Sequence, residues 1–393
     1  MTPDGALANV PLRHARVAVG EVTLHVVEAG PADAAPVLLL HGFPECWFAW
    51  RHQIPALAQA GYRVLVPDQR GYAESDKPAG VAAYALPRLI GDVLGLLDAL
   101  NVRRPVHLVG HDWGGAVAWA TATGHPERVR SLTVLNCPHP KVLKRALSSD
   151  PAQAARSWYM GLFQLPWLPE RLLSGGRAAA ALRDTSAPGT FSASELAYYQ
   201  ATAWATPEHL RGPVSWYRAA RYGGFPPGKV TVPTRLLWGT ADQALGTSLI
   251  EPTLARCDDA HVMPLEGVSH WGAAEAPDLV NQHLQGWLLD HGGPDPFVYK
   301  IAPRAAWDAA GDAWDGSADD RRDGFVHLSS AHQVQGTLDR YFAGQPGLVR
   351  LAVDPALLPP RALRFEASRA GMRFPHLYGP LPRAAVVSTE ALP

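Results

Sequence analysis

Asp112, Asp242 and His270 have the residue types that nucleophilic catalysis with an oriented base requires. Asp112 stands in Gly110-His111-Asp112-Trp113-Gly114, a small-x-acid-x-small spacing. Glycines at those places let the backbone turn sharply and push the middle side chain out above a sheet. A serine at that point attacks acyl carbon. A carboxylate does something else: its oxygen displaces a leaving group at a tetrahedral carbon and leaves an alkyl ester. That ester hydrolyses at Asp112's own carboxyl carbon, whereas a serine would be left as an inert ether. The spacing points to a substrate with an electrophilic sp3 carbon, an epoxide or an alkyl halide.

Hydrolysis of the ester needs a base for water and a group to orient the base. His270, in Gly267-Val268-Ser269-His270-Trp271, is the candidate base. Asp242, in Trp238-Gly239-Thr240-Ala241-Asp242, is the candidate orienting acid; its alternative role is a helix cap. Asn136 ends an earlier strand and cannot supply the charge. The backbone N–H groups of Phe43 and Trp113 are the candidate oxyanion donors. His41, His111, Arg70 and Asp76 read as loop ties.

The elements that must position these groups alternate strand and helix. Pro36–Leu40, Arg63–Pro67, Val106–Val109 and Val129–Leu135 are continuous apolar runs, as buried parallel strands require. Helices are expected near 50–60, 85–100 and after the turn at 110–114. The fold class is therefore α/β with a mostly parallel sheet, residues 12–30 forming an antiparallel edge. Residues 141–227 contain no convincing strand and many aromatics, and read as a helical cap inserted between the core segments 1–140 and 228–290. Within it Trp158, Trp216 and Phe163 are expected pocket residues, and Trp167 and Trp204 cap core or pocket wall. Such walls favour an apolar or aromatic substrate. His291-Gly292-Gly293-Pro294 is a linker, and 297–393 suffices for a small domain of its own.

The balance of charge excludes some partners. The net charge is −1 over 393 residues, which suggests neither nucleic acid nor an anionic membrane surface. Cys46, Cys137 and Cys257 are scattered, so neither a disulfide framework nor a metal site is expected. No apolar stretch is long enough to span a bilayer, and Met1–Gly5 lacks a basic start followed by an apolar run. The expectation is a cytoplasmic protein that needs no cofactor.

Three motifs together carry a resemblance. His41-Gly42-Phe43-Pro44-Glu45, Asp68-Gln69-Arg70-Gly71-Tyr72 with Ser75-Asp76, and Gly110-His111-Asp112-Trp113-Gly114-Gly115 resemble the epoxide hydrolase branch of the α/β-hydrolase superfamily over about residues 12–290. Ala73 departs from the glycine more usual there. The resemblance implies an α/β-hydrolase core with a cap, a cis peptide before Pro44, and a small epoxide plus water as reactants. It also implies two cap tyrosines that donate hydrogen bonds to the epoxide oxygen. Tyr159 and Tyr217 match those contexts. A ring-opening alkoxide needs such a donor and a departing halide does not. Haloalkane dehalogenases share the aspartate, so halide release through Asp112 is the alternative, with Trp113 cradling the ion. Fluoroacetate dehalogenases carry an arginine where Trp113 stands. A catalytically silent binding protein on the same fold is the non-enzyme alternative.

In the tail, segments around His327, Glu366 and His376 resemble a small bacterial family of unknown function. That family is distantly similar to the ADP-ribosyltransferase fold. The resemblance implies an α+β domain in which His327 faces a nicotinamide dinucleotide and Glu366 or His376 assists. The alternatives are a satisfied core histidine with an exposed glutamate, or an interaction module.

Overall fold

A computed structural model describes residues 7, 9–368 and 373–392. Met1–Gly5, read above for a leader, lie outside the described residues, as do Arg369–Met372 of the tail. The centre is an eight-stranded mixed sheet, ordered β1-β2-β4-β3-β5-β6-β7-β8. β1 (Arg13–Val19) and β2 (Val22–Ala29) are the antiparallel edge. β3 (Pro36–Leu40), β4 (Arg63–Pro67), β5 (Val106–His111), β6 (Val129–Leu135), β7 (Thr234–Gly239) and β8 (Ala260–Leu265) run parallel. β3, β5 and β6 are buried at every residue, because helices cover both faces.

α1 (Gln53–Gln59), α2 (Leu86–Ala99) and α3 (Trp113–Gly124) supply much of that cover. α2 buries Leu89, Ile90, Val93, Leu96 and Leu97, spaced as one helical face. Leu89, Val93, Leu96 and Leu97 join Leu38, Leu40 and Val117 in one core layer. Ile54 and Leu57 of α1 lie in the other, with Val37 and Leu39. Register does the positioning. Gly110 of β5 sits beside Leu40 of β3 and Val134 of β6, so the loops after all three strands leave the sheet at one edge. Gly239 of β7 pairs with Leu265 of β8, which brings the segments bearing Asp242 and His270 to that same edge.

Between β6 and β7 the chain is helical: α4 (Pro140–Ser149), α5 (Pro151–Arg156), α6 (Trp158–Leu162), α7 (Leu168–Leu172), α8 (Ala178–Thr185), α9 (Ala193–Thr202) and α10 (Pro207–Ala219). After β7 come α11 (Ile250–Leu254), α12 (Gly272–Glu275) and α13 (Pro277–Asp290). None of the described helices is long and apolar enough to cross a membrane.

The tail forms a separate layer of small antiparallel sheets. One joins β9 (Val298–Pro303), β12 (Leu348–Val353) and β16 (Val386–Ala391). A second joins β11 (Val326–His327), β13 (Leu363–Ala367) and β14 (Arg373–Leu377). A third pairs β10 (Ala313–Trp314) with β15 (Leu381–Pro382). The tail docks on the core through polar pairs. Arg104 grips Asp354 with two bonds of 3.1 Å, and Arg373 reaches Asp259 at 2.8 and 3.2 Å.

Candidate active site

Asp112 follows β5 directly and precedes the first turn of α3. Its φ of 49° and ψ of −121° lie where non-glycine residues are rarely found. Two glycines make this backbone possible. A Cβ on Gly114 would meet the Leu40 carbonyl oxygen at 2.2 Å, and one on Gly42 would meet Asp112 Cβ at 2.5 Å. The carboxylate does not cap α3. Instead Phe43 N donates to Asp112 Oδ1 at 2.8 Å, across a Phe43–Pro44 bond that is cis. Trp113 is the first residue of α3, so its N–H has no acceptor within the helix.

His270 stands beside this carboxylate. Its Nε2 is 3.8 Å from Asp112 Oδ2, and its Nδ1 is 2.7 Å from Asp242 Oδ2. Asp242 is held on every side. Its Oδ1 accepts from Ala244 N and Leu245 N, and its Oδ2 also accepts from Asn136 Nδ2 at 2.7 Å. Burial alone would raise the Asp242 pKa, but the His270 charge and these hydrogen bonds bring it below the usual carboxylate range. Burial likewise opposes the charged form of His270. Asp242, through charge and hydrogen bond, and then Asp112 overcome it and raise the imidazole to about 9.

Asn136, dismissed above because it lacks charge, is a working part of this geometry. Its Oδ1 accepts from Gly239 N at 2.9 Å while its amide donates to Asp242. Its φ of 40° is one that asparagine tolerates better than most residues. An asparagine at a strand end was the available signal. A second group passed over is Glu45. It is buried, accepts from Tyr199 OH of α9 at 2.9 Å, and lies 3.5 Å from His111 Nδ1. His111 Nε2 in turn lies 2.9 Å from the His270 backbone oxygen. Burial would raise the Glu45 pKa; His111 and Tyr199 hold it below normal. The chain Tyr199–Glu45–His111–His270 thus ties the cap to the loop that carries His270.

Comparison with known proteins agrees with this fold. Residues 35–277 match the family described as alpha/beta hydrolase fold. The chain belongs to the alpha/beta hydrolase fold family. AB hydrolase superfamily protein YfhM of Bacillus subtilis is 39% identical over 68% of this chain and 94% of its own length. Epoxide hydrolase A of Mycobacterium tuberculosis is 35% identical over 68% of this chain and 94% of its own. The crystal structure of epoxide hydrolase A from Mycobacterium thermoresistibile aligns with a TM-score of 0.63 at 31% identity, covering 71% of this chain and 98% of that one. Residues 301–389 match a protein family of unknown function, DUF952. The chain is a hydrolase with an additional small domain.

In this hydrolase the cap closes over Asp112 and leaves a cavity of about 550 Å3. Asp112, Trp113, Tyr159, Trp216 and Tyr217 line it. The Tyr217 ring meets Phe43 and Trp113 edge-on at 5.1 Å each, and lies 6.1 Å from the Tyr159 ring. Burial first, and the Asp112 charge second, push both phenols far above their usual pKa, so both keep their protons. Phe163, expected in the pocket, does not line this cavity; it packs behind the tyrosines, 4.8 Å from Tyr217 and 5.1 Å from Phe43.

Trp158 corrects an expectation. It is not a pocket residue: its surface is 68% exposed, and Trp167 is 62% exposed. The helix α6 turns Tyr159 and Met160 to the cavity, so the neighbouring Trp158 points away from it. Trp204 is fully buried, with its Nε1 on the Pro44 oxygen.

The three tail residues come together away from this cavity. His327 and His376 are cross-strand partners with rings 5.5 Å apart. His376 Nδ1 is 2.8 Å from Glu366 Oε2, and His327 Nδ1 is 2.8 Å from Asp320 Oδ1. None of the three lines the Asp112 cavity.

Proposed function

We propose that this chain hydrolyses epoxides to vicinal diols through an ester on Asp112. The observation that carries the reading is the cavity in which one carboxylate nucleophile and two protonated tyrosines, Tyr159 and Tyr217, face the same space. Phe43 N holds Asp112 Oδ1, which leaves Oδ2 for attack. An Oδ2–carbon bond forms and the epoxide carbon–oxygen bond breaks. The alkoxide takes a proton from Tyr159 or Tyr217, and the phenol is restored through solvent.

Ester formation removes the Asp112 charge, one of the anions that hold the His270 proton. His270 then gives up that proton to solvent and becomes a base. It takes a proton from water, whose oxygen attacks the Asp112 carboxyl carbon. Phe43 and Trp113 N–H groups stabilise the oxyanion. Collapse expels the second alkoxide, which takes the proton back from His270, and the diol leaves. Asp242, fixed by Asn136 and two backbone N–H groups, keeps the imidazole in the tautomer this requires.

Similarity to proteins named epoxide hydrolases supports the reading. The test offers styrene oxide and chlorohexane to wild type and to Asp112→Ala. Diol from the wild type alone is expected. Halide release without diol would assign a dehalogenase with the same nucleophile and overturn the epoxide reading.

A further inference from the structure

A second cavity, of about 680 Å3, lies where the hydrolase core meets the small domain. One wall is built from residues at and just before the starts of β5, β6, β7 and β8, the other from residues between Pro355 and Glu366. Asp112 follows the opposite end of β5, so the two cavities lie at opposite edges of the sheet. We propose that this second cavity binds a small organic monocarboxylate, with the Arg130 guanidinium on its carboxylate and Val232, Leu358 and Phe365 against its apolar body. The site is independent of the reaction at Asp112.

Arg130 is the second residue of β6. The pairing of β5 with β6 changes register there: Val106 faces Val129 and His107 faces Ser131, which leaves Arg130 as the extra residue of a bulge. A bulge re-aims a side chain, and this one carries a guanidinium to the domain junction. Arg130 Cζ is 6.0 Å from the Phe365 ring centroid, and both residues line the cavity. A Cβ on Gly292 of the linker would meet Arg130 Nη1 at 2.7 Å, so the linker backbone packs on the same group. Arg130 is only 8% exposed, yet neither Nη1 nor Nη2 has a hydrogen-bond partner among the described residues. Burial lowers its pKa to about 10, so it stays charged at neutral pH. The acids whose charge reaches it are committed elsewhere: Arg104 grips Asp354, and Asp295 accepts from Tyr299 OH at 2.7 Å. A buried charge without a partner destabilises the fold that keeps it.

The carboxylates on the cavity walls do not answer this charge. Asp259 is held by Arg373 at 2.8 Å, and Glu366 lies 2.8 Å from His376. Glu127 and Asp258 are exposed, beside His125 and Lys229. Arg103, Arg361 and Arg364 are exposed too, where water solvates them. Arg130 is therefore the lining cation that needs an anion brought to it. A guanidinium offers two parallel N–H groups that match the two oxygens of a carboxylate. One buried positive charge balances one negative charge. A phosphate dianion would carry an excess charge past the four lining carboxylates. Val232, Leu358 and Phe365 are buried and offer apolar contact that a bare anion would not use.

Isothermal titration calorimetry on the full chain tests this with three probes: benzoate, benzamide and inorganic phosphate. Benzoate is expected to bind with a Kd of about 0.1–1 mM, within reach of so small a ligand. Benzamide, its neutral counterpart, should bind roughly tenfold or more weakly, because it cannot take a charge-assisted pair of hydrogen bonds. Phosphate should bind more weakly than benzoate. Arg130→Met, an apolar chain of similar length, should abolish the benzoate signal. Arg130→Lys disturbs the fold less and keeps the charge without the fork, and should weaken benzoate by roughly threefold to tenfold. Benzoate affinity unchanged in either variant would place its binding elsewhere and overturn the proposal. So would no benzoate binding at tens of millimolar, benzamide bound as tightly as benzoate, or phosphate bound more tightly than either.

Discussion

In the proposed reaction Asp112 sets the chemistry, because its carboxylate serves as nucleophile and, once esterified, carries the carbon that water attacks. The two halves can be separated at single residues. His270→Gln is expected to leave alkylation possible and block hydrolysis. Intact-protein mass spectrometry with styrene oxide should then show a one-to-one adduct, mapped to the peptide containing Asp112. Tyr217→Phe should slow ring opening by roughly 10²-fold or more, the usual worth of a positioned proton donor; single-turnover kinetics would show it. The imidazole offers a direct electrostatic readout. His270 is raised to about 9 by Asp242 and Asp112. In Asp112→Asn one of those anions is gone, and NMR titration should find the His270 pKa lower. The sign for stability follows from the raised value. The His270 contribution is full below the unfolded value near 6.5 and is lost as pH rises through about 9.

At the scale of elements, the turn that carries Asp112 depends on how closely α3 approaches β3. Gly114→Ala would drive a Cβ into the Leu40 carbonyl, so loss of folded, soluble protein is expected. Asn136→Ala strips one donor from a buried carboxylate and one acceptor from Gly239 N, and puts alanine at a positive φ that asparagine tolerates better. Its cost should be about 1–3 kcal/mol in chemical denaturation, with a slower ester-hydrolysis step. Much of this level was legible in the sequence. Unbroken apolar runs gave β3 to β6, and the glycine spacing gave the turn. Two things were hidden. Asn136 acts through Asp242 and Glu45 through Tyr199, each partner more than a hundred residues away in the chain, which spacing does not reveal. Aromatic residues in the cap also do not announce which way their short helix faces, and so Trp158, expected in the pocket, lies at the surface. In the tail, β14 carries Arg373 and Pro375, and β16 is an exposed edge strand. Neither shows the period-two alternation that marks a strand.

Across the whole molecule, the hydrolase and the small domain are joined by charge more than by a shared core. Arg104–Asp354 and Arg373–Asp259 span the junction, and both are partly exposed. Arg104→Ala/Arg373→Ala is therefore expected to cost only on the order of 1–2 kcal/mol, measurable by thermal unfolding, with diol formation retained. The site itself is built wholly from the hydrolase core and its cap: Asp112, Asp242 and His270 rise from one sheet edge, and Tyr159 and Tyr217 descend from the cap. Attack by the carboxylate, rather than by water directly, is what this arrangement is read to perform. A single turnover with excess enzyme in heavy-oxygen water tests that claim most directly. If Asp112 attacks, the first diol carries no heavy oxygen and the label appears in the Asp112 carboxyl group. A first-turnover diol bearing the label, with Asp112 unlabelled, would contradict it.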